Sequence, residues 1–249
     1  MAISVIELCR AYGEVTAVQG LSFDAAAGEI VGLIGPNGAG KTTTLRCLAG
    51  ILVPTSGRIV VGGHDMAGSP IEAKKQLAFM PDEPHLFEYM TVQEHLRLIG
   101  RLYGLADIDE RARPLLDELE LRGKEQLLPG ELSRGMRQKV VIACGLVRDP
   151  PLLLFDEPLT GLDPIGIRRM RDTIVRRARD GAAVLLSSHL LPLVQEICTR
   201  VLIMDRGRKI ADGSVEQLAA RADLAEAGST LEQIFLRVTG HDRPSPETH

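Results

Sequence analysis

The segment Gly35-Pro-Asn-Gly-Ala-Gly40-Lys41-Thr42 restricts the fold of this chain more than any other stretch. It follows the apolar run Glu29–Ile34 and leads into the helical stretch Thr43–Ala49, the strand–loop–helix setting that a phosphate-binding loop requires. Glycines let successive backbone N–H groups curl around phosphate oxygens, and a helix start adds the positive end of its dipole. In this reading Gly35, Pro36, Asn37, Gly38, Ala39 and Gly40 form the cradle and Thr43 closes it. Lys41 reaches the β- and γ-phosphates, and Thr42 offers a hydroxyl to Mg²⁺. The implied ligand is a triphosphate with Mg²⁺.

Such a loop needs a parallel sheet behind it, and the sequence supplies one. EIVGLIG, PLLLFD, AAVLLSS and RVLIMD are near-continuous apolar runs of strand length separated by helix-length segments, as expected for a sheet covered on both faces. Ahead of it, Ile3–Leu8, Leu21–Phe23 and Arg58–Val61 are short, Val- and Ile-rich and bounded by turn residues, which predicts an N-terminal antiparallel β subdomain. Between Leu77–Met80 and the strand that begins near Pro151 the periodicity is helical. Thr91 with Glu94 forms a capping-box pattern for a helix through Tyr103, and Ser133 is placed to cap a helix running towards Val147. The expected organisation is an α/β core with its β subdomain over 1–82 and 149–213, an inserted helical subdomain over 83–148, a helical extension over 214–239 and a disordered tail over 240–249.

Composition removes several classes of function. With 45% hydrophobic residues in 249, the chain can bury a sizeable core. Its four cysteines, at 9, 47, 144 and 198, show neither disulfide nor zinc-ligand spacing, which favours a reducing cytosol. A net charge of −4 with both signs interspersed argues against DNA or RNA as a partner. No apolar run approaches the roughly 20 residues that cross a bilayer, so a membrane role is expected to come through another protein.

A second acidic feature answers the phosphate loop. Leu152-Leu-Leu-Phe155-Asp156-Glu157 ends a buried strand in two carboxylates, where open α/β sheets place their ligand sites. Asp156 is read as the holder of hydrated Mg²⁺. Glu157 is read as the base or water-positioner facing the γ-phosphate.

Leu132-Ser133-Arg134-Gly135-Met136, at a helix start one helix ahead of Asp156, resembles the signature motif of ABC ATPases. Leu159-Thr160-Gly161-Leu162-Asp163-Pro164 resembles their D-loop, His189 their switch histidine, and Tyr12 the aromatic that stacks on adenine. The likeness runs from residue 3 to about 213 in the family's order. It implies a head-to-tail dimer, of two identical or two different ATPase chains, in which each ATP lies between one subunit's phosphate loop and Ser133 and Gly135 of the other. His189 then senses the γ-phosphate and Asp163 couples the two sites. A separate transmembrane permease is the implied partner, docking along Asp82–Tyr89, with the chain held at the cytoplasmic face of the cell membrane. The closing stretch Ser229–Gly240 looks like that of bacterial ABC exporter subunits, so export is the expected direction. A soluble ABC ATPase serving a cytosolic assembly, such as iron–sulfur cluster biogenesis, is the alternative. A silent regulatory subunit is disfavoured because Lys41, Asp156, Glu157 and His189 are all present.

Two motif regions depart from the family pattern. The signature usually reads LSGGQ, and here Arg134 and Met136 replace its first glycine and its glutamine. After the strand Leu77–Met80 and Pro81, Asp82 stands where a glutamine is common. A carboxylate also ligates Mg²⁺, so Asp82 joins Thr42 and Asp156 as an expected metal ligand. His64, His85 and His95 are expected in solvent, Cys47 and Cys144 in the core, and the basic run Arg168–Arg179 as a solvated helix face.

Overall fold

The computed structural model describes residues 1–222 and 229–240. Two sheets carry the molecule. Strands β1 (Ile3–Tyr12), β2 (Val15–Ala25), β4 (Ser56–Val61) and β5 (His64–Asp65) form an antiparallel sheet in the order β2-β1-β4-β5. The second sheet has the order β10-β9-β3-β8-β7-β6, built from β3 (Ile30–Ile34), β6 (Leu77–Met80), β7 (Leu152–Asp156), β8 (Ala183–Ser187), β9 (Arg200–Asp205) and β10 (Arg208–Gly213). All its neighbours pair in parallel except β10 with β9.

The apolar runs at the centre of this sheet divide their side chains between two cores by the period of two. Leu153, Phe155, Val184, Leu186, Val201 and Ile203 face one core, shared with the helices of the insertion. Leu152, Leu154, Ala183, Leu185, Leu202 and Met204 face the other, shared with the antiparallel sheet and helix α1 (Lys41–Leu48). Asp156 has the parity of Leu152 and Leu154. The pleat therefore turns its carboxylate towards α1 and the phosphate loop.

Helix α2 (Pro70–Lys75) precedes β6, and the insertion carries α3 (Val92–Tyr103), α4 (Ile108–Glu118), a 3-10 turn at Pro129–Glu131 and α5 (Arg134–Leu146). The Thr91–Glu94 capping box is fully formed, and Ser133 caps α5 by accepting from the Met136 N–H at 3.2 Å. Beyond β7 come α6 (Pro164–Arg179), α7 (Leu191–Ile197), α8 (Val215–Arg221) and α9 (Leu231–Thr239), whose Leu231 and Ile234 are fully buried. Of the expected tail, only Gly240, the C-cap of α9, lies within the described residues. Among those residues no helix is long and apolar enough to cross a membrane.

One surface expectation changes and another gains detail. His95 is buried, because its imidazole completes the turn that starts α3: Nε2 accepts from the Phe87 N–H at 2.9 Å and Nδ1 donates to the Thr91 carbonyl at 2.8 Å. The basic run of α6 is solvated as expected, with Arg168, Arg169, Arg176 and Arg179 exposed, and part of it is also ion-paired. Arg169 meets Glu120 at 3.2 Å, Arg177 meets Asp149 at 3.1 Å, and Arg176 pairs with Glu118, which also accepts from Thr173. The acids come from the insertion and the loop before β7, distant in sequence, so helical periodicity gives no sign of them. The Cys47 and Cys144 thiols behave as core groups, with burial pushing them up to about 11 and about 12.

Candidate functional site

The loop between β3 and α1 has the glycines its path demands. A Cβ on Gly35 would sit 2.3 Å from the Met204 carbonyl oxygen, and one on Gly40 would sit 2.3 Å from that of Ala17. Gly40 also holds φ +97° and leaves α1 without a side-chain cap. The first N–H groups of α1 therefore face outward with no protein acceptor on the cap and no acid in the first turn, an arrangement that attracts anions.

Lys41 folds back over this loop. Its Nζ donates to the carbonyls of Gly35 at 2.7 Å and Pro36 at 3.2 Å. Burial pulls its pKa below the ordinary lysine value, opposed by the charges of Glu157 and Asp156 nearby. Pro36 also accepts from the Ala39 N–H, while Asn37 and Gly38 are exposed. Thr42 Oγ1 donates to Asp156 Oδ1 at 3.1 Å, and Thr43 follows it in the first turn of α1.

The end of β7 gathers the remaining groups. Asp156 is 2% exposed, and its Oδ1 also accepts from Ser187 Oγ at 2.7 Å. Ser187 stands opposite Asp156 in the parallel register of β7 and β8. The next residue, Glu157, is held at φ +48°, a conformation uncommon for a side-chain-bearing residue and frequent at functional sites. Its N–H donates to Ser187 Oγ at 3.0 Å and to the Ser187 carbonyl at 3.2 Å. That kink aims the carboxylate at His189, whose Nδ1 donates to Oε2 at 2.8 Å and whose backbone N–H lies 3.4 Å from the same oxygen. Ser187 is the residue sequence reasoning missed. Its only signal is that the apolar run AAVLLSS turns polar at its end.

Lys41, Thr42, Asp156, Glu157 and His189 thus converge on the phosphate loop, while Tyr12, Asp82, Ser133, Gly135 and Asp163 have other partners or places. Tyr12 ends β1, 46% exposed, with the Arg10 guanidinium 4.5 Å from its ring centroid. Asp163 caps α6 by accepting from the Gly166 N–H at 2.6 Å. Ser133 spends an acceptor site on its own cap, which leaves its O–H free to donate. Among the described residues no hydrogen bond or ion pair joins Ser133, Gly135 or Asp163 to the phosphate loop. The Asp82 carboxylate faces Arg134, with Nη2 to Oδ1 at 3.6 Å. Among the described residues no group of three or more His, Cys, Asp or Glu is placed to hold a metal ion.

An anion cradle with a lysine, a hydroxyl–carboxylate pair and a histidine-held carboxylate suit a nucleotide triphosphatase, and similarity to known proteins narrows this further. The profile of the family described as ABC transporter matches residues 18–160. The ABC-type transporter ATP-binding protein EcsA of Bacillus subtilis is 34% identical over 242 residues, covering 96% of this chain and 97% of that protein. The Nod factor export ATP-binding protein I of Paraburkholderia xenovorans is 38% identical over 240 residues, covering 94% of this chain and 76% of that protein. A solved ATP-binding subunit of an ABC transporter superposes with a TM-score of 0.91 at 34% identity, covering 96% of this chain and all of that one. CbiO1 of Clostridium perfringens, part of the transporter complex cbiONQ, gives 0.75 at 26% identity, with 90% and 92% covered. The fold, the site and these similarities together make the chain a member of the ABC transporter family, an ATP-binding subunit that hydrolyses ATP to power transport.

Proposed function

We propose that this subunit pairs head to tail with a second ATPase chain, closing two Mg²⁺–ATP molecules in the interface, and drives export through a separate permease at the cytoplasmic face of the membrane. The observation that carries the catalytic part is the chain of contacts Thr42–Asp156–Ser187–Glu157–His189 at the carboxyl end of β7 and β8.

The Thr42 hydroxyl and the Asp156 carboxylate, in contact at 3.1 Å, are hard oxygen donors that fit Mg²⁺. Bound there with ATP, the ion would neutralise charge developing on the phosphates. Lys41 exchanges its loop carbonyls for phosphate oxygens. Glu157 Oε2 is occupied by His189, which leaves Oε1 to orient the attacking water in line with the γ-phosphate. His189 donates through Nδ1, and one N–H cannot serve both Glu157 and a phosphate. A γ-phosphate that takes this donor frees Oε2 as well, which ties the full accepting capacity of Glu157 to the presence of ATP.

Tyr12 supplies a ring for adenine. Ser133 and the N–H of Gly135, unused by their own chain's phosphate loop, supply the second half of the site in the partner, and Asp163 lies beside that interface. For the permease, Asp82 and Tyr89 line a cleft of about 840 Å³, and Phe87 lines an adjoining apolar one of about 330 Å³. Tyr89 is 90% exposed and Phe87 62% exposed, and their rings lie on these neighbouring clefts, which supports this face as the one the permease covers. Export is supported by the relative that is a Nod factor export ATP-binding protein.

Glu157→Gln tests the core of this reading. It should bind ATP, hydrolyse it slowly and sediment as a dimer with ATP and Mg²⁺. A monomer at saturating ATP and Mg²⁺ overturns the sandwich. Tagging the chain in its native cell tests the partner: a stoichiometric multi-spanning protein is expected, and a purely soluble partner would replace the permease with a cytosolic assembly.

A further inference from the structure

Two of the three positions where this chain departs from the common family pattern, Arg134 and Asp82, meet in space. Arg134 opens α5, where a cation opposes the helix dipole, and no acidic residue stands in that first turn to offset it. The offsetting charge comes from outside the helix, from Asp82 at 3.6 Å. Asp82 Oδ1 is shielded from solvent and accepts no hydrogen bond, so the guanidinium is the positive charge that faces it.

One turn along the same face of α5, Gln138 Nε2 donates to the Pro81 carbonyl at 2.9 Å. Residues 134 and 138 therefore grip the adjacent residues 82 and 81. The stem of Arg134 also lies over the loop after β7: a Cβ on Gly161 would meet its Cδ at 3.5 Å and its Nε at 3.6 Å. A Cβ on Gly135 would come within 3.0 Å of the Gly161 carbonyl oxygen. One side chain thus touches the segment after β6, the start of α5 and the loop that leads to Asp163.

We propose that Arg134 and Asp82 act as a matched pair of positioning residues, an ion-pair clamp that fixes the start of α5, with Ser133, against the segment after β6 and so sets how tightly the second subunit's ATP is gripped. Glycine at 134 has no side chain to form such a clamp, so the departures at 82 and 134 make it only together. The inference rests on the sandwich reading.

A double-mutant cycle in the Glu157→Gln background tests it, using Asp82→Gln, Arg134→Gly and both. The readout is the ATP concentration for half-maximal dimerisation by sedimentation, at low and high salt. Each single change should raise that concentration. The double variant should fall short of the product of the singles by about two- to fivefold, the range of a half-exposed ion pair, and the coupling should shrink with salt. Arg134→Lys should keep part of it. Should Arg134→Gly fail to fold, Arg134→Met keeps the stem over Gly161 and removes the charge, and the same cycle is read with it. Singles that multiply in the double variant overturn the clamp while leaving the sandwich intact. A parent Glu157→Gln chain that never dimerises overturns the sandwich itself.

Discussion

Ser187→Ala should damage this protein out of proportion to the single oxygen it removes. Ser187 Oγ donates to Asp156 Oδ1 at 2.7 Å and accepts from the Glu157 N–H at 3.0 Å. Without it, Asp156 Oδ1 keeps only Thr42 at 3.1 Å, and the N–H of the kinked Glu157 keeps only the Ser187 carbonyl. A hydrogen bond to a charged group contributes about 1.5–3 kcal/mol, and removing this one strands a carboxylate that is almost wholly buried. Taking about 2 kcal/mol, and about 2–4 °C per kcal/mol for a chain of this size, the melting temperature should fall by about 4–8 °C. Loss of a group that orients a metal ligand typically weakens metal affinity about 10- to 100-fold, so the Mg²⁺ needed for half-maximal ATPase activity should rise in that range. Differential scanning calorimetry and a Mg²⁺ titration of steady-state hydrolysis read the two effects. A variant that melts within about 1 °C of the parent and keeps its Mg²⁺ dependence would show that Ser187 restrains neither carboxylate.

Asp82→Ala, by contrast, should leave the half-saturating Mg²⁺ unchanged, because its carboxylate faces Arg134; a several-fold rise would return Asp82 to the metal group. His95→Ala should lower stability by about 2 kcal/mol, since it leaves the Phe87 N–H without its acceptor while the Thr91 carbonyl keeps the backbone N–H of residue 95, and thermal melting that matches the parent would refute that role. Acid should expose one further ion pair. Burial pushes the Asp212 carboxyl up, but hydrogen bonds from Arg200 and Lys209 outweigh it and hold it below its usual value. Its contribution is then complete above the unfolded carboxylate value near ~3.9 and is lost as pH falls through the lower folded value. The melting-temperature advantage of the parent over Asp212→Asn should therefore narrow below about pH 4, and a gap that stays constant down to pH 2.5 would refute the pairing.

The sequence by itself determined the parts whose physics is local. A glycine-rich loop between an apolar strand and a helix has few other structures open to it. The capping chemistry of Thr91 and Ser133 is written within four residues. The pattern of apolar runs implies a sheet buried on both faces, and the ordered motifs point to the family and hence to ATP. What only the tertiary structure decided is which side chains meet across long loops. The parallel register of β7 and β8 sets Ser187 beside Asp156, and the kink at Glu157 delivers its carboxylate to His189. The insertion brings Glu118 and Glu120 to the basic face of α6, buries His95, and sets Arg134 against Asp82. Periodicity reports that a face is polar or apolar, not which distant residue will lie against it. A hydrogen bond or an ion pair depends on approach within a few ångströms, and that is fixed only when the separate elements pack.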